Sequence, residues 1–216
     1  MVAQVAQPVL VSLNGEQGRQ MDVFRKMMRF TSFITFPLMF GFGLVAKEFI
    51  VIAIGEKWLA SAELIQILCV SGATMPLATL FSNMIISKGR SGTFFWCTFS
   101  LGLVQIITML LIWQWGIRSM VIAYMLINTS WLLVWLFFVR RLTGYGYWRF
   151  FCDVMPFALA AAGVMAASYA ATLSLSNLWA LLISRFVIAA TLYYIVMKVA
   201  RVKILKECER FVFKHK

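Results

Sequence analysis

The sequence predicts an all-α membrane protein, a polytopic bundle of about six transmembrane helices. Hydrophobic residues make up 62% of the chain and charged residues only 13%, whereas soluble domains carry about 25% charged residues. Residues 94–113 contain no charged side chain, and a helix of about 20 apolar residues spans the hydrocarbon core of a bilayer. Residues 132–138 and 158–167 do not alternate between polar and apolar, as the strands of a membrane barrel would. Helices, which satisfy their own backbone hydrogen bonds in lipid, are therefore the predicted spans.

Six apolar stretches are predicted to cross the membrane. They cover residues 27–46, 63–87, 93–113, 119–139, 154–174 and 178–199. The chain is thereby divided into a cytoplasmic loop at 14–26, a six-helix transmembrane lobe at 27–200 and a basic cytoplasmic tail at 201–216. Residues 1–13 are apolar but too short to span, so we interpret them as the end of a truncated transmembrane helix. Residues 47–58 are also too short, and we expect them at the interface or as an outward extension of the first span.

The basic residues predict that both termini face the cytoplasm, because Lys and Arg in short loops are retained on that side. Of the 20 basic residues, 16 fall at one set of span ends or in the tail, three fall at the other set, and Arg185 lies within a span. Outside the spans no segment is long enough to fold into a soluble basic surface. Nucleic acid is therefore not an expected partner.

Amides within the spans are the candidate substrate-binding residues. Asn83 shares one face of the second span with Pro76 and Thr79, and Gln105 shares a similar face of the third span with Thr98. Asn128 aligns on the fourth span with three aromatic residues, Tyr124, Trp131 and Trp135. Polar stripes face the bundle or a wet cavity, because exposing amides to acyl chains is costly. Two interpretations stay open: hydrogen bonding between packed helices, and a cavity that binds a hydroxyl-rich substrate.

Arg185 is the one clear charge inside a predicted span, about seven residues from the outer end of its helix. An intramembrane arginine is a functional candidate, and this one is suited to hold an anionic phosphate. The alternative is snorkelling, in which the long side chain lifts the guanidinium to the headgroups. The other residues on its helical face are Leu178, Leu182, Ala189 and Leu192, which favours a lipid-facing position.

No catalytic site, metal site or cofactor is predicted. The single histidine, His215, lies in the charged tail, and the four cysteines lack the spacing of metal ligands. The eight acidic residues lie outside the predicted spans or at their ends, so we expect no deep carboxylate to bind a coupling ion. All four prolines lie in apolar segments, at Pro8, Pro37, Pro76 and Pro156. Kinked helices of this kind favour a transporter over a static bundle.

Several motifs occur in an order that is typical of one group of membrane exporters. Pro8 and an apolar run precede a basic loop and a helix containing Phe36, Pro37 and Leu38. Residues 54–62 (IGEKWLASA) then lead into a leucine-rich helix, residues 86–90 (ISKGR) close the second span, and residues 115–117 (WGI) precede the fourth. In this order the motifs resemble the C-terminal half of Wzx-type polysaccharide and O-antigen flippases. These belong to the MATE-like MOP (multidrug/oligosaccharidyl-lipid/polysaccharide) exporter superfamily.

The resemblance implies one lobe of a two-lobed transporter in the bacterial inner membrane. Its implied role is to move undecaprenyl-diphosphate-linked oligosaccharide across that membrane during polysaccharide or lipopolysaccharide biosynthesis, without enzymatic activity. The implied partners are membrane lipid, the lipid-linked oligosaccharide, a missing N-terminal lobe and polysaccharide-assembly proteins. Two alternatives stay open: a multidrug exporter of the same superfamily, and a noncatalytic membrane scaffold for polysaccharide assembly.

Overall fold

The computed structural model of the protein describes residues 2–173 and 177–199, and within these ranges all of its regular secondary structure is helical, without strands. The predicted all-α class is therefore confirmed. Short 3-10 turns at Glu56–Trp58 and Trp113–Trp115 join some of the helices. The helices in chain order are α1 (Val2–Ser12), α2 (Gln17–Ala53), α3 (Leu59–Ser87), α4 (Ser91–Ile112), α5 (Gly116–Thr143), α6 (Tyr147–Ala171) and α7 (Leu178–Val199).

Five continuous helical segments within the described ranges are long and apolar enough to cross a membrane. One of them, Ser91–Thr143, is 53 residues long, about 80 Å if it were a straight helix and far more than a bilayer requires. It is instead a hairpin, since α4 and α5 pack against each other across the 3-10 turn. The bundle thus contains six long helices, α2 to α7, and the chain is a multi-pass membrane protein. The predicted basic tail at 201–216 lies outside the described residues.

The predicted loop at 14–26 is wrong over most of its length, because α2 already begins at Gln17 and only residues 13–16 are non-helical. Besides its charged residues, this segment has a buried face with a four-residue repeat, which the sequence analysis did not identify. Gln20, Phe24 and Met28 are all buried on that face. At its other end α2 continues to Ala53, which confirms the extension of the first span beyond residue 46.

The longest helix, α2, packs against α1, α3, α6 and α7. A methyl group at Gly72 on α3 would lie 3.1 Å from the Met39 sulfur on α2, so glycine allows these two helices to approach closely. Three connections, at residues 13–16, 88–90 and 144–146, lie at the same end of the bundle, which we call the basic end. An aromatic group fills the core there: Phe24 packs against Phe81 and Tyr145 at ring distances of 5.9 and 5.6 Å.

Candidate functional site

A polar groove of about 530 Å³ lies between α2, α3, α4 and α5. Its polar side chains are four hydroxyls and one amide, and the other five lining residues, Pro76 among them, are apolar. None of the residues that line it is charged, so the groove is suited to a neutral, hydrogen-bonding group. The lining residues, which we call the polar groove throughout, are Thr31, Ile34, Thr35, Met75, Pro76, Ala78, Thr79, Ser82, Leu101 and Asn128.

Backbone carbonyls of their own helices hold several of the groove's polar groups in place. Thr79 donates to the Met75 carbonyl (3.1 Å) and Ser82 to the Ala78 carbonyl (2.8 Å). The Asn128 amide nitrogen donates to the Tyr124 carbonyl (2.9 Å). Each of these side chains donates a hydrogen in that bond. The lone pairs of its oxygen can therefore accept a hydrogen bond from a ligand. The Thr31 hydroxyl is buried and has no hydrogen-bond partner.

A second polar cluster at the basic end joins α2 to α6. Asp153 is completely buried, and Arg25 binds it through two hydrogen bonds, of 2.9 and 3.1 Å. Arg29 donates to the same carboxylate at 2.6 Å, and the Tyr145 hydroxyl at 3.0 Å. Burial raises the pKa of the Tyr145 phenol, and the neighbouring Asp153 charge raises it further. Tyr145 therefore stays protonated and serves as a donor. We call these four residues the Asp153 cluster.

A third polar cluster lies near the opposite end of the bundle and contains Arg185. Its guanidinium donates to the Glu48 carboxylate on α2 at 2.6 Å and to the Thr172 hydroxyl, just after α6, at 3.1 Å. The guanidinium also lies over the Tyr169 ring, 5.1 Å from its centre. The second carboxylate oxygen of Glu48 is buried without a hydrogen-bond partner. We call Glu48, Arg185 and Thr172 the Glu48 cluster.

These two clusters correct two expectations from the sequence. Arg185 is only 7% exposed, so the lipid-facing, snorkelling interpretation is wrong. The reason is Glu48, a partner 137 residues away in the chain, whose charge keeps the guanidinium inside the bundle. Glu48 was also expected outside the first span, whereas it lies within α2 and is buried, as is Asp153 at the start of α6.

The proline within α2 is coupled to α7. Pro37 has no amide hydrogen, so the carbonyl four residues earlier, that of Phe33, loses its helical partner. The Tyr193 hydroxyl on α7 donates to this carbonyl at 2.9 Å. A neighbouring helix therefore satisfies the backbone group that the proline frees, as the bilayer environment requires.

The structure separates the four predicted substrate-binding residues. Asn128 lines the polar groove, whereas Asn83 and Gln105 do not. Asn83 is buried at 7% exposure, one position after Ser82, and Gln105 is half-buried on α4. Arg185 lies in the Glu48 cluster. Whether these side chains contact a substrate stays a prediction.

Sequence reasoning missed Thr31 and Thr35, which bring α2 into the groove. Their four-residue spacing within an apolar helix was the available signal. Among the described residues, no group of three or more His, Cys, Asp or Glu lies together in a way that could hold a metal ion.

Part of the chain is similar in sequence to known proteins. Residues 1–63 match a family model described as "Polysaccharide biosynthesis protein". The chain resembles membrane proteins of polysaccharide biosynthesis. This confirms the resemblance found in the sequence motifs, over part of the chain. No solved structure matches the chain significantly.

Three curated relatives agree with the family match. An uncharacterized membrane protein in the cps region of Klebsiella pneumoniae is 29% identical over 42% of this chain and 19% of its own length. The teichuronic acid biosynthesis protein TuaB of Bacillus subtilis is 29% identical over 44% of this chain and 20% of its own. The lipopolysaccharide biosynthesis protein WzxC of Escherichia coli is 23% identical over 42% and 18%. The matched segments thus span about a fifth of each relative.

Proposed function

We propose that this chain is the C-terminal portion of a bacterial inner-membrane flippase. In this role it moves undecaprenyl-diphosphate-linked oligosaccharide across the membrane during polysaccharide biosynthesis, with both termini in the cytoplasm. The polar groove is the observation that carries the proposal. Hydroxyls from α2 and α3 and the Asn128 amide from α5 line it, within helices that are otherwise apolar. A sugar presents many hydroxyl groups, and such groups pair with groove oxygens and amides without needing a charge.

The proposal assigns roles to the predicted residues. Asn128 contacts the saccharide from the wall of the groove, while Asn83 and Gln105 remain predicted contacts. A phosphate contact was one of the two interpretations of Arg185 from the sequence, but its guanidinium is already bound to Glu48. We therefore propose that Arg185 positions helices and does not bind substrate. A missing N-terminal lobe, which would complete the cavity, and polysaccharide-assembly proteins are the proposed partners.

Deletion of the coding region in the bacterium that carries it tests the proposal. We expect surface polysaccharide to fall to background while lipid-linked oligosaccharide accumulates in the inner membrane. Its sugar should be inaccessible to a glycosidase added to intact spheroplasts. Unchanged surface polysaccharide would contradict the proposal.

The same deletion distinguishes the two alternatives. A multidrug exporter predicts normal polysaccharide together with greater sensitivity to toxic cations. A noncatalytic scaffold predicts that the lipid-linked oligosaccharide is not made, so that it does not accumulate. Replacing groove residues should leave a scaffold active, whereas it should reduce the activity of a flippase.

A further inference from the structure

A second cavity, of about 450 Å³, lies between α2 and α7. Its size is within the usual range of small-ligand sites. Residues of these two helices form most of its wall, Met165 on α6 completes it, and among the lining residues only Arg185 and Tyr193 carry a polar side-chain group. We call this cavity the Arg185 cleft. It shares no lining residue with the polar groove.

Arg185 is buried at 7% exposure, yet its guanidinium has hydrogen-bonding capacity left. Its Nε donates to the Thr172 hydroxyl at 3.1 Å, and its Nη1 donates to the Glu48 carboxylate at 2.6 Å and to the Leu44 carbonyl at 3.4 Å. The other nitrogen, Nη2, carries hydrogens as well. Nothing in the part of the chain that the structure describes accepts a hydrogen bond from it. Because Arg185 lines the cleft, an occupant of the cleft can accept from Nη2.

The charges of the site favour an uncharged occupant. Glu48 neutralises Arg185, and no other residue that lines the cleft is charged. An anion in the cleft would therefore add an uncompensated charge to apolar surroundings, which is costly. The remaining wall is apolar, so the occupant is expected to be apolar as well, apart from one hydrogen-bond acceptor for Nη2.

Water does not fit this description. A buried water needs about two to four polar partners. The Tyr193 hydroxyl is the other polar group of the cleft, and its hydrogen is already donated to the Phe33 carbonyl. Arg185 and Tyr193 are also eight residues apart on α7, about 12 Å along the helix axis. One water molecule cannot bridge them.

The guanidinium lies near the level at which the helices end. Thr172, which it contacts, is the first residue after α6, and Glu48 lies five residues before the end of α2. The hydrocarbon core of a bilayer meets its polar interfacial layer close to the ends of spanning helices. At that boundary a glycerophospholipid carries the ester carbonyls that join its acyl chains to glycerol. An ester carbonyl is an uncharged acceptor attached to an apolar chain.

We propose that the Arg185 cleft binds one acyl chain of a glycerophospholipid, whose ester carbonyl accepts a hydrogen bond from Nη2 of Arg185. The lipid belongs to the leaflet at the end of the bundle opposite the basic end. It joins α2 to α7 beside Pro37, which also lines the cleft. The inference goes beyond the proposed function, because this lipid is a bound component of the bundle and not the molecule that is moved.

Native mass spectrometry of the purified 216-residue chain, released from neutral detergent micelles, tests the hydrogen bond. The probes are dioleoyl phosphatidylcholine and its diether analogue, which has the same headgroup and chains but no ester carbonyls. We expect the diester to bind about tenfold more tightly, the usual effect of one hydrogen bond to a charged donor. Equal affinities would overturn the assignment of the carbonyl.

A pair of alanine substitutions on α7 tests the location. Ala190 lines the cleft and is exposed, so Ala190→Phe should fill the cavity without disturbing the core and weaken diester binding by about tenfold or more. Ala180→Phe is the matched control, because it makes the same change at an exposed position of α7 outside the cleft. It should change the affinity less than about twofold. Equal losses in the two variants would overturn the cleft as the site.

Arg185→Lys keeps a positive charge beside Glu48 and removes Nη2. It should lower the affinity for the diester to that for the diether and leave diether binding unchanged. Equal losses for both lipids would contradict the hydrogen bond. If this variant does not fold, the two lipids and the alanine pair still decide the proposal.

Two competitors distinguish other apolar ligands. Oleate should compete poorly, because its carboxylate would lie near Glu48 without a free counter-charge, and strong competition would overturn the uncharged occupant. Farnesol, an isoprenoid alcohol without a carbonyl, should compete no better than the diether lipid. Stronger competition by farnesol would overturn the acyl chain as the occupant. Because these assays measure binding alone, their failure leaves the export test of the proposed function unaffected.

Discussion

The Tyr193 hydroxyl on α7 donates a hydrogen bond of 2.9 Å to the Phe33 carbonyl on α2. That carbonyl is the one that Pro37 deprives of its helical partner. The Tyr193 side chain thus links the turn of α2 that contains Pro37 to α7, and the strength of this link can be measured.

Tyr193→Phe should lower the free energy of unfolding by about 1 kcal/mol, the usual contribution of one hydrogen bond between membrane helices. The measurement is denaturation by sodium dodecyl sulfate in mixed micelles. Pro37→Ala supplies the control, because an amide at position 37 can bond to the Phe33 carbonyl itself. In the Pro37→Ala variant, Tyr193→Phe should lower the free energy of unfolding by much less. An equal loss with and without Pro37→Ala would contradict the coupling between Tyr193 and Pro37.

Arg185→Met should be severely destabilising, by about 3 kcal/mol, because it leaves the Glu48 carboxylate buried and unpaired. Replacing both residues with methionine should restore most of that loss, since an apolar pair needs no charge partner. The same detergent denaturation measures both variants. A double variant as unstable as the single one would show that the ion pair is not the source of the effect.

Asp153→Asn should destabilise the chain by about 2 kcal/mol. The figure is below that for a fully buried pair because the Arg25 and Arg29 side chains are 30% and 42% exposed and are partly hydrated. The matched control is Arg19→Gln, which breaks the exposed pair with Glu16 and should cost less than about 0.5 kcal/mol. Similar losses in the two variants would contradict a structural role for the Asp153 cluster.

Asn128→Leu should reduce surface polysaccharide by half or more, at unchanged protein level, in the bacterium that carries the chain. The leucine removes the amide from the groove wall and keeps a similar volume. Quantitative staining of surface glycan and immunoblotting of membranes measure the two quantities. A parallel fall in protein level would assign Asn128 to packing.

Asn83→Leu provides an informative contrast, because Asn83 is buried outside the groove. Reduced glycan at normal protein level would confirm its predicted substrate contact, whereas a parallel fall of protein and glycan would assign it to packing. Gln105→Leu tests the remaining amide: reduced glycan at normal protein level would confirm its predicted substrate contact, and normal export would exclude it.

Hydropathy was sufficient to predict the fold class and the position of most helices. For example, α4 at Ser91–Ile112 and α7 at Leu178–Val199 lie close to the predicted spans. Each helix is specified by its own residues, because a span must be apolar over its whole length. Asn128 could be found in the same way, since an amide within an apolar helix is conspicuous.

The ion pairs could not be predicted by this reasoning. Glu48 and Arg185 are 137 residues apart, and each looked like a boundary or lipid-facing residue when considered alone. Burial of such a pair depends on which helices are neighbours, and hydropathy does not encode the order of packing. Asp153 was likewise placed at a span end. Its position in the sequence did not indicate its three partners, two on α2 and one in the α5–α6 connection.

The two ion clusters have a mechanical consequence. Arg25 and Glu48 are 23 residues apart on α2, roughly 34 Å along the axis. At the first level Arg25 ties α2 directly to Asp153 on α6, and at the second Arg185 of α7 bonds both Glu48 on α2 and Thr172 just after α6. Sliding of α6 along α2 would therefore break charged hydrogen bonds at both levels. On the other side of the bundle the ion pair from α5 to α3, Arg118–Glu63, is exposed, and Cys97 is the one buried residue of α4, so α4 is held less tightly than α6.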